Sequence, residues 1–294
     1  MSLTIDSPRH FRPDGETVRW EPPAHDPVDQ AALDDFVAHY GDIHLAPVTV
    51  LIPAFQEAEN IATVIARIPE TVLGMEVDVV VVTDGCTDAT APIARRAGAY
   101  VCEARVNRGQ GAAYRLGYRL VAARGTRYVA TIDADGQYDP ADIPTLLEPI
   151  VNGEADIVHG SRILGAAERD DRFRLAGVYF FAVVISVLLG RRVTDSSNGL
   201  RIMRVTVPAT VRLVEDQYQS SEMLIGAVRC GFRYAERPVV VARRLSGTSK
   251  KAPNLLYGLH YLRVVLRTRF RRHVRNDQAK PVLTVLKSPV FTGE

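Results

Sequence analysis

Two carboxylates and an amide crowd one short loop, Asp133-Ala134-Asp135-Gly136-Gln137, directly after the apolar run at 128–132. Like charges this close repel, and the arrangement is easiest to rationalise when a hard divalent cation neutralises them. Mg2+ or Mn2+ prefers oxygen ligands and keeps open positions for water and substrate phosphates. Asp133, Asp135 and Gln137 are therefore the candidate metal ligands. The matching substrate group is a diphosphate, whose charge such a metal would carry off as it leaves. Two further acidic loops follow apolar runs, Pro53-Ala54-Phe55-Gln56-Glu57 and Thr83-Asp84-Gly85. Singly, each has a plain structural alternative: Asp84 and Asp88 suit a turn or a helix cap, and Glu57 suits a helix's first turn. What they share is a place at the end of an apolar run.

Strand-like and helix-like runs alternate from Val48 onward. Residues 48–53 read as a strand and 58–68 as a helix with Ile61, Val64, Ile65 and Ile68 on one face. The run at 78–83 (DVVVVT) is almost wholly apolar and β-branched, as expected of a strand covered on both faces. Further strands fit 100–102, 128–132 and 157–158, with helices over 111–123 and 143–151. This order predicts an α/β fold with a mostly parallel, Rossmann-like sheet and helices on both faces. Ligands in such sheets bind beyond the carboxyl ends of the strands. That edge is where all three acidic loops fall. Residues 1–46 read as an N-terminal extension with one helix over Pro27–Tyr40; 47–251 is the main domain, and 252–294 a basic amphipathic helix and tail.

Composition excludes several classes. The 294 residues carry 36 Lys plus Arg against 34 Asp plus Glu, a net charge of +2 that makes no case for nucleic acid. Cys86, Cys102 and Cys230 form no CxxC pair and read as buried thiols of a reducing compartment. The polar N-terminus, with Asp6, Asp14 and Glu16, does not look like a secretory signal. Residues 175–190 are uncharged, but 16 residues closed off by Arg174, Arg191 and Arg192 fall short of the roughly 20 that a bilayer span needs. A buried or interfacial helix is expected. Gly109-Gln110-Gly111 is not a dinucleotide fingerprint, since Tyr114 stands where that motif needs Gly or Ala. No HExxH or GxSxG motif appears, which removes the protease and esterase readings.

The segments VTVLIPAFQEAENI, VVVVTDGCTDAT, VNRGQGAAYRLGY, YVATIDADGQYDP, DIVHGSRI, VTDSSNGLRIMR and SSEMLIGAVRCGFRYAERPVVVARRLSGTSK cover about residues 48–251. In order and spacing they resemble the inverting family 2 glycosyltransferases of GT-A fold, particularly the dolichol-phosphate mannosyltransferase-like branch. The resemblance implies a nucleoside pocket lined by Pro53, Phe55 and Glu57, with Phe55 standing where the family often has Tyr. It implies that Val82 and Asp84 contact base and ribose, that Asp133 and Ala134 meet the nucleotide, and that Asp135 and Gln137 hold the metal. Arg162, Arg244 and Lys250 would neutralise the diphosphate and an acceptor phosphate. The expected donor is a UDP- or GDP-sugar.

In such a reaction negative charge builds on the leaving diphosphate, and cationic groups placed around it stabilise that charge. A lipid monophosphate acceptor is already ionised, whereas a hydroxyl acceptor needs a carboxylate to take its proton. Asp195 and Glu222 are the candidates for acceptor-side work, and Arg244 for leaving-group stabilisation. A polyprenyl phosphate is the first expectation for the acceptor. The branch usually places Ser four residues after an Arg that follows GSR, and here Arg172 is followed by Ala176 and Arg174 by Val178. A soluble hydroxyl acceptor therefore stays open, as does a non-catalytic membrane-surface module. From Arg237 to Arg275 no acidic residue occurs, and Leu255, Leu259, Leu262, Leu266 and Phe270 recur at helical spacing beside Arg263, Arg267 and Arg271. Such a helix suits an anionic membrane surface, unless its leucines pack on the domain. The location expected is cytoplasmic, or peripheral on the inner face of the cell membrane.

Overall fold

The structure, a computed structural model, describes residues 10–11, 17–18, 26–167, 172–246 and 255–272, with side chains over 26–166, 175–246 and 258–272. A two-stranded hairpin, β1 (His10–Phe11) and β2 (Thr17–Val18), precedes helix α1 (Pro27–Tyr40). Then follow β3 (Val48–Ala54), α2 (Ile61–Ala66), β4 (Thr71–Val72), β5 (Met75–Asp84), α3 (Thr90–Arg96), β6 (Tyr100–Ala104), α4 (Gln110–Ala123) and β7 (Tyr128–Thr131). The second half holds α5 (Ile143–Val151), β8 (Ile157–Ala167), α6 (Arg172–Leu189), β9 (Arg201–Arg204), α7 (Thr206–Thr210), α8 (Gln219–Arg229), β10 (Tyr234–Val241) and α9 (Leu255–Phe270).

Eight strands form one sheet in the order β10-β8-β9-β7-β3-β5-β4, with β6 also paired to β5. The β10–β8, β7–β3, β3–β5 and β5–β6 pairs are parallel, while β9 runs antiparallel between β7 and β8. All of β3 is buried, and alternate residues serve opposite faces: Leu51 belongs to one core, and Val50 and Ile52 to the other. Strand β5 divides likewise between Val80 and Val82 on one side and Val81 on the other. This two-sided burial is what the β-branched run predicts. Helices α1, α4 and α8 cover the first face, and α2, α3 and α5 the second.

Several expectations need adjustment. The helix expected over 58–68 starts only at Ile61, because the Glu57 and Ala58 amides donate to Thr90 Oγ1 (2.9 Å) and Asp88 Oδ2 (3.2 Å) in the neighbouring loop. Strand β8 runs on to Ala167, held beyond residue 158 by pairing with β10. The Pro27–Tyr40 helix packs Ala32 and Phe36 into the first core. Cys102 and Cys230 are buried as expected, whereas Cys86 is half-buried. Helix α6 buries Ala182 and Ile185 but exposes Tyr179, Phe180, Val183 and Val187. Among the described residues no helix is long and apolar enough to cross a membrane.

Candidate active site

The carboxyl ends of β3, β5 and β7 open into a pocket of about 270 Å3. Pro53, Ala54, Phe55 and Glu57 form one wall, Asp84 with Asn107, Gly109, Gln110 and Ala113 a second, and Asp133, Ala134, Asp135 and Arg244 the floor. Three acidic loops far apart in sequence thus meet because parallel strands place their carboxyl ends on one edge.

Each wall is fixed locally. Gln56 takes a left-handed conformation (φ 54°), which costs energy for a non-glycine residue and needs compensation. Its side-chain oxygen accepts from the Thr87 and Asp88 amides, both at 3.1 Å, so the loop carrying Phe55 is locked to the loop after β5. Asp88 accepts from the Thr90 amide and hydroxyl, the turn-shaping role that its residue type suggested. Asp84 is buried and accepts from the amides of Arg108 (3.1 Å) and Gly109 (2.7 Å). Burial pushes its pKa up, and those two N–H groups work against the rise.

On the floor, Asp135 is buried and pairs with Arg244 at 2.8 Å. Its pKa is raised to about 6 by burial and by the adjacent Asp133 carboxylate, with Arg244 opposing. The segment after β10 closes over this loop: the Ala242 amide donates to Gln137 O (2.9 Å) and the Leu245 amide to Asp135 O (3.2 Å). Ser246 reaches across to Asn60 at 2.7 Å, tying this cover to the first wall. Gly199 is needed on the other side, since a Cβ there would lie 2.6 Å from Asp133 Oδ2. Here glycine serves close approach.

The sequence-derived candidates divide. Pro53, Phe55, Glu57, Asp84, Asp133, Ala134, Asp135 and Arg244 come together around the pocket. Val82 is fully buried within β5 and offers no side-chain surface to a ligand. Gln137 lies on the same loop, but its amide nitrogen donates to Ala242 O (3.0 Å), so the side chain braces the cover. Asp195 is fully buried and holds Arg162, accepting from its Nε at 2.6 Å and its backbone amide at 3.2 Å. Ser197 donates to the same carboxylate through its amide (3.2 Å) and hydroxyl (3.3 Å). Glu222 is not brought to the pocket: it pairs with Arg271 and accepts from the Val214 amide at 2.9 Å. Lys250 lies outside the described residues.

Other contributors were not singled out from sequence. Gln110 lines the pocket and donates to Asp133 Oδ1 at 2.9 Å. Arg201 is fully buried, stacks over Tyr114 at 4.8 Å and bonds Gln219 and Ser220. Both fall in motif segments, VNRGQG and DSSNGLR, whose polar residues were the available signal.

A divalent cation fits this donor set. Two carboxylates share a desolvated floor whose repulsion Arg244 only partly offsets, and hard cations favour such oxygens. Among the described residues no cluster of three or more His, Cys, Asp or Glu could hold a metal by itself. An ion on Asp135 would therefore complete its coordination with water and ligand oxygens.

Comparison with known proteins follows the same lines. A family model described as "Glycosyl transferase family 2" matches residues 49–207. The chain is 32% identical over 225 residues to a dolichyl-phosphate hexose transferase of Haloferax volcanii, covering 76% of this chain and 95% of that one. It is 29% identical over 223 residues to an undecaprenyl-phosphate mannosyltransferase of Micrococcus luteus, covering 71% and 89% respectively. Among solved structures, glucosyl-3-phosphoglycerate synthase from Mycobacterium tuberculosis, in complex with Mn2+, UDP and glucosyl-3-phosphoglycerate, superposes with TM-score 0.58. That likeness spans 85% of this chain and 86% of that one at 22% identity, a likeness of fold.

Proposed function

The chain is a glycosyltransferase of family 2, in the dolichol-phosphate mannosyltransferase-like branch, and from that premise we propose that it moves a sugar from a nucleotide-diphosphate sugar to a polyprenyl phosphate. The observation that carries the acceptor assignment is the state of Asp195. A hydroxyl acceptor needs a carboxylate free to take its proton, and the Asp195 oxygens are committed to Arg162 and Ser197 within a fully buried site. Asp195 is then a positioning residue that aims Arg162 at a phosphate. An acceptor that arrives ionised needs no more.

On the donor side, Asp84 accepts from the base, and Phe55 and Pro53 pack on the nucleoside. Mg2+ or Mn2+ bound at Asp135 would polarise the diphosphate and carry its charge as it departs. Arg244 stands beside Asp135 and supplies a fixed cation as charge builds on the leaving group. Attack from the opposite face gives inversion.

The outer surface supports a membrane-borne acceptor. Helix α9 packs through Tyr261, Val264, Val265 and Thr268, which leaves Leu259, Leu266 and Phe270 exposed. Leu262 is half-buried and the Leu255 side chain lies outside the described residues, so the outer side rests on Leu259, Leu266 and Phe270. Tyr179, Phe180, Val183 and Val187 of α6 are exposed as well, and α6 packs on α9. Of the arginines expected beside the apolar stripe, Arg263 and Arg267 are exposed, as suits an anionic interface, whereas Arg271 turns inward to Glu215 and Glu222.

A soluble acceptor is the second reading. The hydroxyls absent at Ala176 and Val178 favour it, as does the phosphoglyceric acid bound by the structurally similar synthase. The test is a donor-hydrolysis screen of UDP- and GDP-sugars with Mn2+, followed by transfer to a short polyprenyl phosphate or to phosphoglycerate and simple saccharides. Transfer to the polyprenyl phosphate, lost in excess chelator, supports the proposal. Transfer only to a soluble acceptor overturns it.

A further inference from the structure

Helix α1 precedes every segment that resembles the family, yet it is bonded to a wall of the donor pocket. We propose that Asp26, the N-cap of α1, and Asp29 within it are positioning residues for the donor nucleotide, acting through Arg108 on the Asp84 carboxylate. The proposal rests on the reading that Asp84 meets the donor's base.

The connection runs through one residue. Arg108 lies in the short loop between β6 and α4, whose neighbours Asn107, Gly109 and Gln110 line the pocket. Its backbone amide donates to both Asp84 oxygens at 3.1 Å. Its guanidinium points to α1, where one terminal nitrogen pairs with Asp26 and the other with Asp29 at 2.6 Å. Arg119 of α4 joins the cluster at 3.0 Å from Asp29. The Arg108 side chain is only 17% exposed and that of Asp29 only 9%, so solvent screens this pair little, and the Asp26 pair, whose carboxylate is at the surface, more. A planar guanidinium held at both ends fixes the backbone that carries it.

A purely structural role for the cluster is poorly supported, because α1 is anchored by other means. Phe36 and Ala32 sit in the core, and the Tyr40 hydroxyl accepts from the Val101 amide at 3.1 Å. What the ion cluster adds is the position of the 107–110 wall and, through two N–H groups, the orientation of Asp84. Burial raises the Asp84 pKa, so the same N–H groups also favour its ionised form as a base acceptor.

The test uses the full chain with Asp26→Asn and Asp29→Asn together. Asn keeps the side-chain volume and serves as well as Asp at the helix N-cap, the place of Asp26. Binding of UDP and GDP, each with Mn2+, is measured by calorimetry beside binding of Mn2+ pyrophosphate. The expected result is a nucleotide Kd weakened roughly tenfold, within the range of couplings carried between sites, with pyrophosphate affinity unchanged. The donor KM should rise with kcat nearly constant, and hydrogen exchange at the Arg108 and Gly109 amides should speed up. Nucleotide affinity within twofold of the unaltered protein, with unchanged exchange at those amides, overturns the proposal alone. If the unaltered protein binds neither nucleotide, the reading of Asp84 fails and the proposal falls with it. Should the double variant not fold, Asp26→Asn alone decides by the same exchange measurement, since that side chain is 41% exposed.

Discussion

Replacing Asp135 by Asn should abolish transfer and at the same time make the protein more stable. In the folded protein burial and the Asp133 charge raise the Asp135 pKa from 3.8 to about 6. A carboxyl whose folded pKa lies above its unfolded value binds its proton more tightly when folded. Its contribution favours the folded state at low pH and is lost as pH climbs from about 4 through about 6. The shift of about 2 units corresponds to roughly 3 kcal/mol of destabilisation at pH 7.5. Asn removes the charge but keeps an oxygen for Arg244 and for the Gln137 amide, which now donates to Asp135 at 3.1 Å. Arg244 loses its charged partner, so the net gain should be about 1–3 kcal/mol, or several degrees in Tm. Urea unfolding without metal should show this gain at pH 7.5 and about half of it at pH 5. Mn2+ with nucleotide should stabilise the unaltered protein at pH 7.5 and not the variant. A variant less stable than the parent at pH 7.5, or a gain that ignores pH, would refute the claim that this floor holds an excess of buried negative charge.

Other substitutions separate chemistry from scaffolding. Arg244→Ala should reduce kcat on the order of tenfold or more while changing UDP or GDP affinity less, measured by steady-state kinetics beside calorimetry. Gly199→Ala should fold and yet lose most activity, because the new Cβ would sit 2.6 Å from Asp133 Oδ2; circular dichroism and a donor-hydrolysis assay check both halves. Glu222→Gln should change stability by no more than about 2 kcal/mol, since burial already disfavours the Glu222 charge and Arg271 keeps Glu215 as a partner, and should leave kcat per folded molecule close to normal. A large loss of kcat with an unchanged denaturation midpoint would return Glu222 to the chemistry.

The pocket at the carboxyl ends of β3, β5 and β7 was legible because its signal is local. An apolar β-branched run that ends in an acidic loop announces a buried parallel strand with chemistry at its carboxyl end, and β3, β5 and β7 each do so. The region around Asp195 was less legible, because its order comes from tertiary pairing. Strand β9 is four residues, Arg201–Arg204, inserted antiparallel between β7 and β8, and two of them are arginines. No period of two marks it. The sequence offered Asp195 as a carboxylate in a polar loop; only the fold shows it fully buried beneath Arg162. Glu222 looked equally available, and only the arrival of Arg271 from the far end of α9 reveals its partner. The α1 cluster was invisible for the same reason, since Asp26 and Arg108 are 82 positions apart.

Helix α9 faces two ways, and this decides how membrane docking must be tested. Its inner side is built into the region of the Asp195 loop: the Tyr261 hydroxyl bonds Ser196 at 2.7 Å and also Ser221, and its ring packs on Phe181 at 4.1 Å. Arg271 holds Glu222, Glu215 and the Arg212 carbonyl, and so fixes the loop on which the N-terminus of α4 rests. The Gly111 amide donates to Asp216 O at 2.8 Å in that same loop. Truncation before α9 would therefore disturb the active site whether or not the helix meets a membrane, and lost activity would prove nothing. Substitution on the outer side avoids this. Leu259→Ser with Phe270→Ser alters side chains that are 54% and 73% exposed, and should leave donor hydrolysis in detergent-free buffer unchanged. If the outer side docks, the double variant should lose binding to anionic vesicles, and the parent should bind anionic but not neutral vesicles with a strong dependence on salt. A parent that stays in the supernatant with anionic vesicles at low salt would refute docking and move the acceptor assignment to a soluble hydroxyl acceptor.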